Sequence, residues 1–159
     1  MEAKEHTIRT CTVEETQRVA ALLARQMVPG AVIALDGDLG AGKTHFVQGL
    51  AQGLGVKSAV TSPTFNVMSI YPEGRLPLYH FDLYRLEDAL ELEDIAFYDH
   101  IESDCVSCIE WASKFSDEIP DSALWLSITV SEDGMRYITA STNDAQTEGL
   151  IDAWMALMA

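Results

Sequence analysis

The run Gly37-Asp38-Leu39-Gly40-Ala41-Gly42-Lys43-Thr44 limits what this chain can become more than any other stretch. It fits the phosphate-binding loop pattern, in which glycines free backbone N–H groups to turn inward onto phosphate oxygens. In that pattern Lys43 sets an ammonium against the β- and γ-phosphates, and the Thr44 hydroxyl takes one position on Mg²⁺. The flanking residues agree. Ala31-Val32-Ile33-Ala34-Leu35 is a continuous apolar run, as a strand buried on both faces should be. Beyond the loop, Phe46, Val47, Leu50, Ala51 and Leu54 recur at helical spacing, so the helix N-terminus points at the phosphates. A plain glycine-rich turn would not explain Lys-Thr at this offset. Strand, loop and helix in this order predict an α/β, P-loop NTPase-like fold. It would have a mostly parallel central sheet with antiparallel hairpins, and helices on both faces.

The rest of the chain supplies the remaining parts. His6 to Cys11 alternates loosely, as a strand does. Thr12-Val13-Glu14-Glu15 is a capping box, with Thr12 as N-cap and Glu15 reaching back. Val13, Ala20, Leu23 and Ala24 mark the helix that follows, and it ends before Pro29-Gly30. Phe65 to Tyr71 and Leu76 to Phe81, joined through Pro72-Glu73-Gly74-Arg75, read as a hairpin or meander. Leu90, Leu92, Ile95 and Phe97 fit one or two short helices between Glu87 and Ile101. Cys105 to Ile109 is another buried-type strand, ending at Glu110-Trp111. Leu124 to Val130 and Met135 to Ala140 alternate around Ser131-Glu132-Asp133-Gly134, a hairpin. Ala145 to Met158 reads as an amphipathic helix. At 159 residues, one domain over 1–159 is the simplest reading.

Charge narrows the function. Ten Lys and Arg stand against 25 Asp and Glu, for a net charge of −15 and no basic run. Nucleic acid is gripped mainly by cations that neutralise phosphates, so tight direct binding of it is not expected. The same acidity repels ATP, so nucleotide binding should depend strongly on Mg²⁺, with Lys43 and the helix N-terminus supplying the local attraction. An acidic surface suits a protein partner with a basic face. No apolar run approaches the roughly 18–20 residues that span a bilayer, and the polar N-terminus leads into no signal-peptide core. A cytoplasmic protein is expected. Cys105-Val106-Ser107-Cys108 could suggest redox or zinc chemistry, but no further ligands stand at recognisable spacing. Buried, inert thiols are the better reading.

A phosphate loop needs a carboxylate to organise Mg²⁺ at the end of a neighbouring strand. Asp82, after Leu78-Tyr79-His80-Phe81, and Glu110, after Cys105 to Ile109, both qualify. Ligands bind at such strand ends in open α/β sheets. Thr61, Ser62 and Thr64 form either a switch that senses the γ-phosphate or a rigid proline turn. Arg85 is one of three arginines after the loop, with Arg75 and Arg136, and would face phosphate or a partner. His45 and His80 lie near the site and read as structural. A Ras-like GTPase would carry Asn-Lys-x-Asp, and a small-molecule or nucleotide kinase an arginine-rich lid; neither is present. An AAA-type motor needs more chain and an arginine finger. What remains is a compact ATPase whose output is a conformational change read by another protein. The rivals are a small-molecule kinase and a non-catalytic switch that only binds nucleotide.

Taken together, Gly-Asp-Leu-Gly-Ala-Gly-Lys-Thr, Thr-Ser-Pro-Thr-Phe, His80-Phe81-Asp82-Leu83-Tyr84-Arg85 and Ile109-Glu110-Trp111 occur in an order that closely resembles the bacterial TsaE (YjeE) family. The resemblance runs from about Thr7 to Thr139. It implies an ATPase required for threonylcarbamoylation of adenosine 37 in tRNAs that read codons beginning with A. Such a protein works with the TsaB–TsaD pair, so tRNA would be held by partners. It implies that Gly37, Asp38, Leu39, Gly40, Ala41, Gly42, Lys43 and Thr44 bind the phosphates. Lys43, Asp82 and Glu110 would be catalytic. Thr44 and Glu110 match Mg²⁺-associated positions, and Asp82 the Walker-B-like acid that positions water or metal. Trp111 matches an aromatic beside the active glutamate, or is simple core packing. The segment around Val13 and the hairpin tip at Gly134 match regions near the base. Where the family usually has a second Thr, this chain has His45, which would donate from its ring or leave only its backbone N–H to the α-phosphate.

Overall fold

A computed structural model describes residues 5–38, 40–61, 63 and 67–158. Burial along strand β2 (Val32–Gly37) sorts the molecule into layers. Val32 and Ala34 enter one core, and Ile33 and Leu35 the other, because successive strand side chains point to opposite faces. The other strands are β1 (His6–Thr10), β3 (Met68–Tyr71), β4 (Leu78–Asp82), β5 (Val106–Glu110), β6 (Leu124–Val130) and β7 (Arg136–Ser141). They form a seven-stranded sheet in the order β1-β7-β6-β2-β5-β4-β3. The middle, β6-β2-β5-β4, is parallel throughout. The flanking pairs β1/β7, β6/β7 and β3/β4 are antiparallel.

Helices cover both faces, as expected. On one lie α1 (Val13–Ala24), α2 (Lys43–Leu54) and α5 (Ala145–Met158), whose Leu23, Phe46, Leu50, Ile151 and Trp154 pack onto Ile33 and Leu35. On the other lie α3 (Glu91–Asp94), α4 (Phe97–Ile101) and a 3₁₀ stretch, Ala112–Glu118. There Leu92, Phe97 and Ala112 join Ala34, Phe81 and Ile109. The 3₁₀ stretch is absent from the sequence reading, because only Ala112 in it is buried and no apolar period announces it. β5 starts one residue later than the apolar run, at Val106.

Local chemistry fixes α1, the helix against which the loop-bearing α2 rests. The Thr12 hydroxyl accepts from Glu15 N at 3.0 Å, and the Glu15 carboxylate reaches back to Cys11 N at 2.6 Å. This is the expected capping box, with its return bond one residue earlier than the cap. α1 and α2 then touch backbone to backbone. A Cβ on Gly49 would stand 2.2 Å from Gln17 O, so only glycine lets α2 lie this close. α5 is tied to α1 by Trp154 Nε1, which donates to Val19 O at 3.0 Å. Among the described residues, no helix is long and apolar enough to cross a membrane.

Candidate functional site

Parallel register brings three strand ends together. Glu110 lies opposite Asp82 on β4 and opposite Leu35 on β2, and β2 runs on to Gly37 and the glycine loop. Alternation gives His80, Asp82, Cys108 and Glu110 the α2 side of the sheet, since Leu78, Val106 and Cys108 belong to that core. A cavity of about 370 Å³ opens at these ends. Its loop side is Gly40, Gly42, Lys43, Thr44 and His45, and its sheet side is Asp82 and Glu110. Tyr84, Trp111 and Arg136 complete it.

The loop side is cationic and tightly held. Gly42 caps α2 with φ +103°, and a Cβ there would stand 2.9 Å from Arg136 Nε. The Lys43 ammonium donates to the carbonyls of Gly37 and, at 3.1 Å, Asp38. It also sits 4.3 Å from the centroid of the Trp111 ring. Trp111 reaches it through a left-handed backbone, φ +60°, that costs a non-glycine residue about 1–2 kcal/mol. Its N–H donates to Leu35 O at 3.1 Å, and its ring packs on Tyr84 at 5.0 Å. The strained turn thus carries an indole from the end of β5 over the lysine, while Trp111 also packs against the second core. Arg136, the first residue of β7, donates through Nε to Ala41 O at 3.1 Å. Sequence reasoning noted Arg136 but gave it no place in the site; its one signal was its position two residues beyond Gly134.

The acid side is dry. Asp82 is 8% exposed, and its Oδ1 accepts from Tyr84 N at 3.0 Å. Glu110 is 3% exposed, with Oε2 2.5 Å from His80 Nε2. An ionised carboxylate can only accept, so Nε2 is the donor in this pair. His80 is fully buried, and among the described residues its Nδ1 has no partner. An unsatisfied buried polar atom costs about 1–3 kcal/mol. Burial, then the charge of Glu110, pushes the Cys108 thiol well up from its ordinary range. The described cysteines are all free; Cys105 and Cys108 are buried, as inert thiols require, and Cys11 is exposed.

His45 lies on the cavity with Nδ1 3.3 Å from Gln48 Oε1. Gln48 Nε2 donates to Val60 O and Oε1 accepts from Gln17, so Oε1 must accept from His45 as well. Nδ1 therefore donates there, and Nε2 is the ring atom left for the site.

Other expected residues scatter. Val13 opens α1 and Gly134 sits at the turn before β7 with φ +84°; neither lines the cavity. Thr61 and Arg85 are exposed and also lie outside its lining. Leu39, Ser62 and Thr64 fall outside the described residues. The oxygen-only set of Thr44, Asp82 and Glu110 suits a hard cation such as Mg²⁺. Lys43, Arg136 and the N-terminus of the 12-residue α2 suit phosphate oxygens.

Known proteins resemble this chain over most of its length. The family model described as threonylcarbamoyl adenosine biosynthesis protein TsaE matches residues 10–138. A protein of Bacillus subtilis (strain 168) named tRNA threonylcarbamoyladenosine biosynthesis protein TsaE is 44% identical over 131 residues, 82% of each chain. One of the same name from Treponema pallidum is 39% identical over 130 residues, covering 82% of this chain and 96% of the relative. A crystal structure of Bacillus subtilis YdiB superposes with a TM-score of 0.86 at 33% identity, covering 100% of this chain and 99% of that one.

Proposed function

The chain belongs to the TsaE family, and on that premise we propose that it is an Mg²⁺-dependent ATPase acting in threonylcarbamoylation of adenosine 37 of tRNAs that read codons beginning with A. It would do so through the TsaB–TsaD pair, the net charge of −15 leaving the tRNA to those partners. One observation carries the reading: Lys43, Thr44, Asp82 and Glu110 line a single cavity at the C-terminal ends of parallel strands.

Lys43 leaves the carbonyls of Gly37 and Asp38 and bonds the β- and γ-oxygens, with Trp111 shielding the ammonium from water. Loop amides at the head of α2 take the remaining charge. Thr44, Asp82 and Glu110 would hold Mg²⁺, which neutralises developing phosphate charge. The two acids would divide that task with orienting the attacking water, whose oxygen bonds the γ-phosphorus as the bridging bond to ADP breaks and whose proton ends on the phosphate released. Arg136 steadies the loop through Ala41 and adds a second cation.

The test is phosphate release from ATP without an acceptor, alone and with TsaB–TsaD. Multiple turnovers, accelerated by the pair, are expected. ADP formed only with a small-molecule acceptor, the phosphoryl group ending on that acceptor and not as free phosphate, would make the protein a kinase, and no turnover a binding switch. Equal rates with and without the pair would break the partner coupling.

A further inference from the structure

We propose that His80 is the positioning residue for Glu110, holding its carboxylate in the orientation that turnover needs; the inference rests on the ATPase reading above. His80 occupies the middle of β4, fully buried, between the buried Phe81 and the next buried residue on its own face, Leu78. Packing alone would fill such a position with an aliphatic side chain. Instead it holds an imidazole with one hydrogen bond, from Nε2 to Glu110 Oε2 at 2.5 Å, and an Nδ1 with no partner among the described residues. The large majority of buried side-chain polar atoms have a hydrogen-bond partner, and an exception calls for a reason. Among the described residues, this one is satisfied only where it meets the acid.

The mechanics follow from the strands. Glu110 is the last residue of β5, and its side chain has three rotatable bonds with which to leave the cavity. His80 is anchored in the neighbouring parallel strand and carries a rigid ring. One bond from it pins Oε2 and leaves Oε1 for the cavity that Glu110 lines. Asp82 lies two residues along the same strand, opposite Glu110. β4 thus sets both acids, one directly and one through His80. Partners of this kind fix the rotation of the group that acts, and their loss commonly reduces activity about 10–100-fold.

The experiment measures kcat, the KM for ATP and the thermal midpoint of the full chain with TsaB–TsaD present. His80→Leu should lower kcat about 10–100-fold while KM stays within about threefold. His80→Gln, whose amide nitrogen can replace Nε2, should recover most of the rate. His80→Asn, too short to reach, should not. In a Glu110→Gln background, His80→Leu should cost nothing further. A kcat for His80→Leu close to wild type overturns the proposal. So do equal losses in His80→Gln and His80→Asn, the pair that decides the matter should the leucine variant not fold. Absence of turnover in the wild-type protein instead overturns the ATPase reading, and the inference with it.

Discussion

The parallel centre of the sheet and its antiparallel wing bury polar groups by different rules. Every residue of β5 is buried, Ser107 and Glu110 included, and β4 buries His80 and Asp82. β1 and β7 instead alternate, with Thr7 and Arg9 exposed and Tyr137 and Thr139 half-buried. Helices close both faces of the centre, so a polar side chain there must be paired or costs stability. On the wing a polar side chain costs almost nothing. Polar residues in the centre are therefore informative about function. On the wing, a cavity-lining residue such as Arg136 is one partly exposed side chain among many.

If that contrast is right, apolar contacts of the helix layer away from the strand ends should carry stability, and the polar residues buried at the centre should carry chemistry. The largest expected effect is in α5. Trp154 is fully buried and bonded to Val19 O, so Trp154→Ala should cost about 3–5 kcal/mol, read by denaturant unfolding. Its turnover per folded molecule should stay near wild type; a specific loss of rate would break the contrast. Next in size is Lys43→Ala, at the head of α2. Removing its charge should lower turnover about 10²–10³-fold with little loss of stability, since its bonds are to its own loop. Full activity in that variant would end the phosphate-loop assignment.

Arg136→Ala sharpens the comparison, because Arg136 is a wing residue that works at the centre. We expect nucleotide affinity to fall about tenfold, with the unfolding midpoint nearly unchanged. An unaltered affinity in a fluorescent-nucleotide titration would return Arg136 to the solvated wing.

The two regions also differ in how far the sequence reveals them. β2, α2 and the loop were legible because apolar runs and a fixed glycine spacing are both local. Asp82 and Glu110 were legible because each ends an apolar run, and register then made them neighbours. The bond from His80 to Glu110 was not, since it joins side chains 30 positions apart through parallel pairing, which no local pattern encodes. Arg136 was missed for the same reason: its contact with Ala41 spans 95 positions. Trp111 was legible as an aromatic beside the acid. That it lies over Lys43 depends on a left-handed turn, which tryptophan does not advertise.

The smallest effect separates the regions by their thiols. Cys108 lies in the closed centre, where burial first and Glu110 second push its thiol well up, while Cys11 is exposed at the end of β1. A native chain at pH 8 should therefore react rapidly with Ellman's reagent at Cys11 alone, and at all three cysteines once denatured. The sign of the linkage follows. The folded pKa is raised, so the stability gained by keeping Cys108 protonated is fully present below the unfolded value, about 8.5, and is lost as pH rises above it. Unfolding curves for Cys108→Ala and wild type should diverge in that direction, the variant losing less stability between pH 8 and higher pH. Identical slopes, or rapid labelling of Cys108 in the folded chain, would mean that solvent reaches β5 and that the centre is not as dry as its burial indicates.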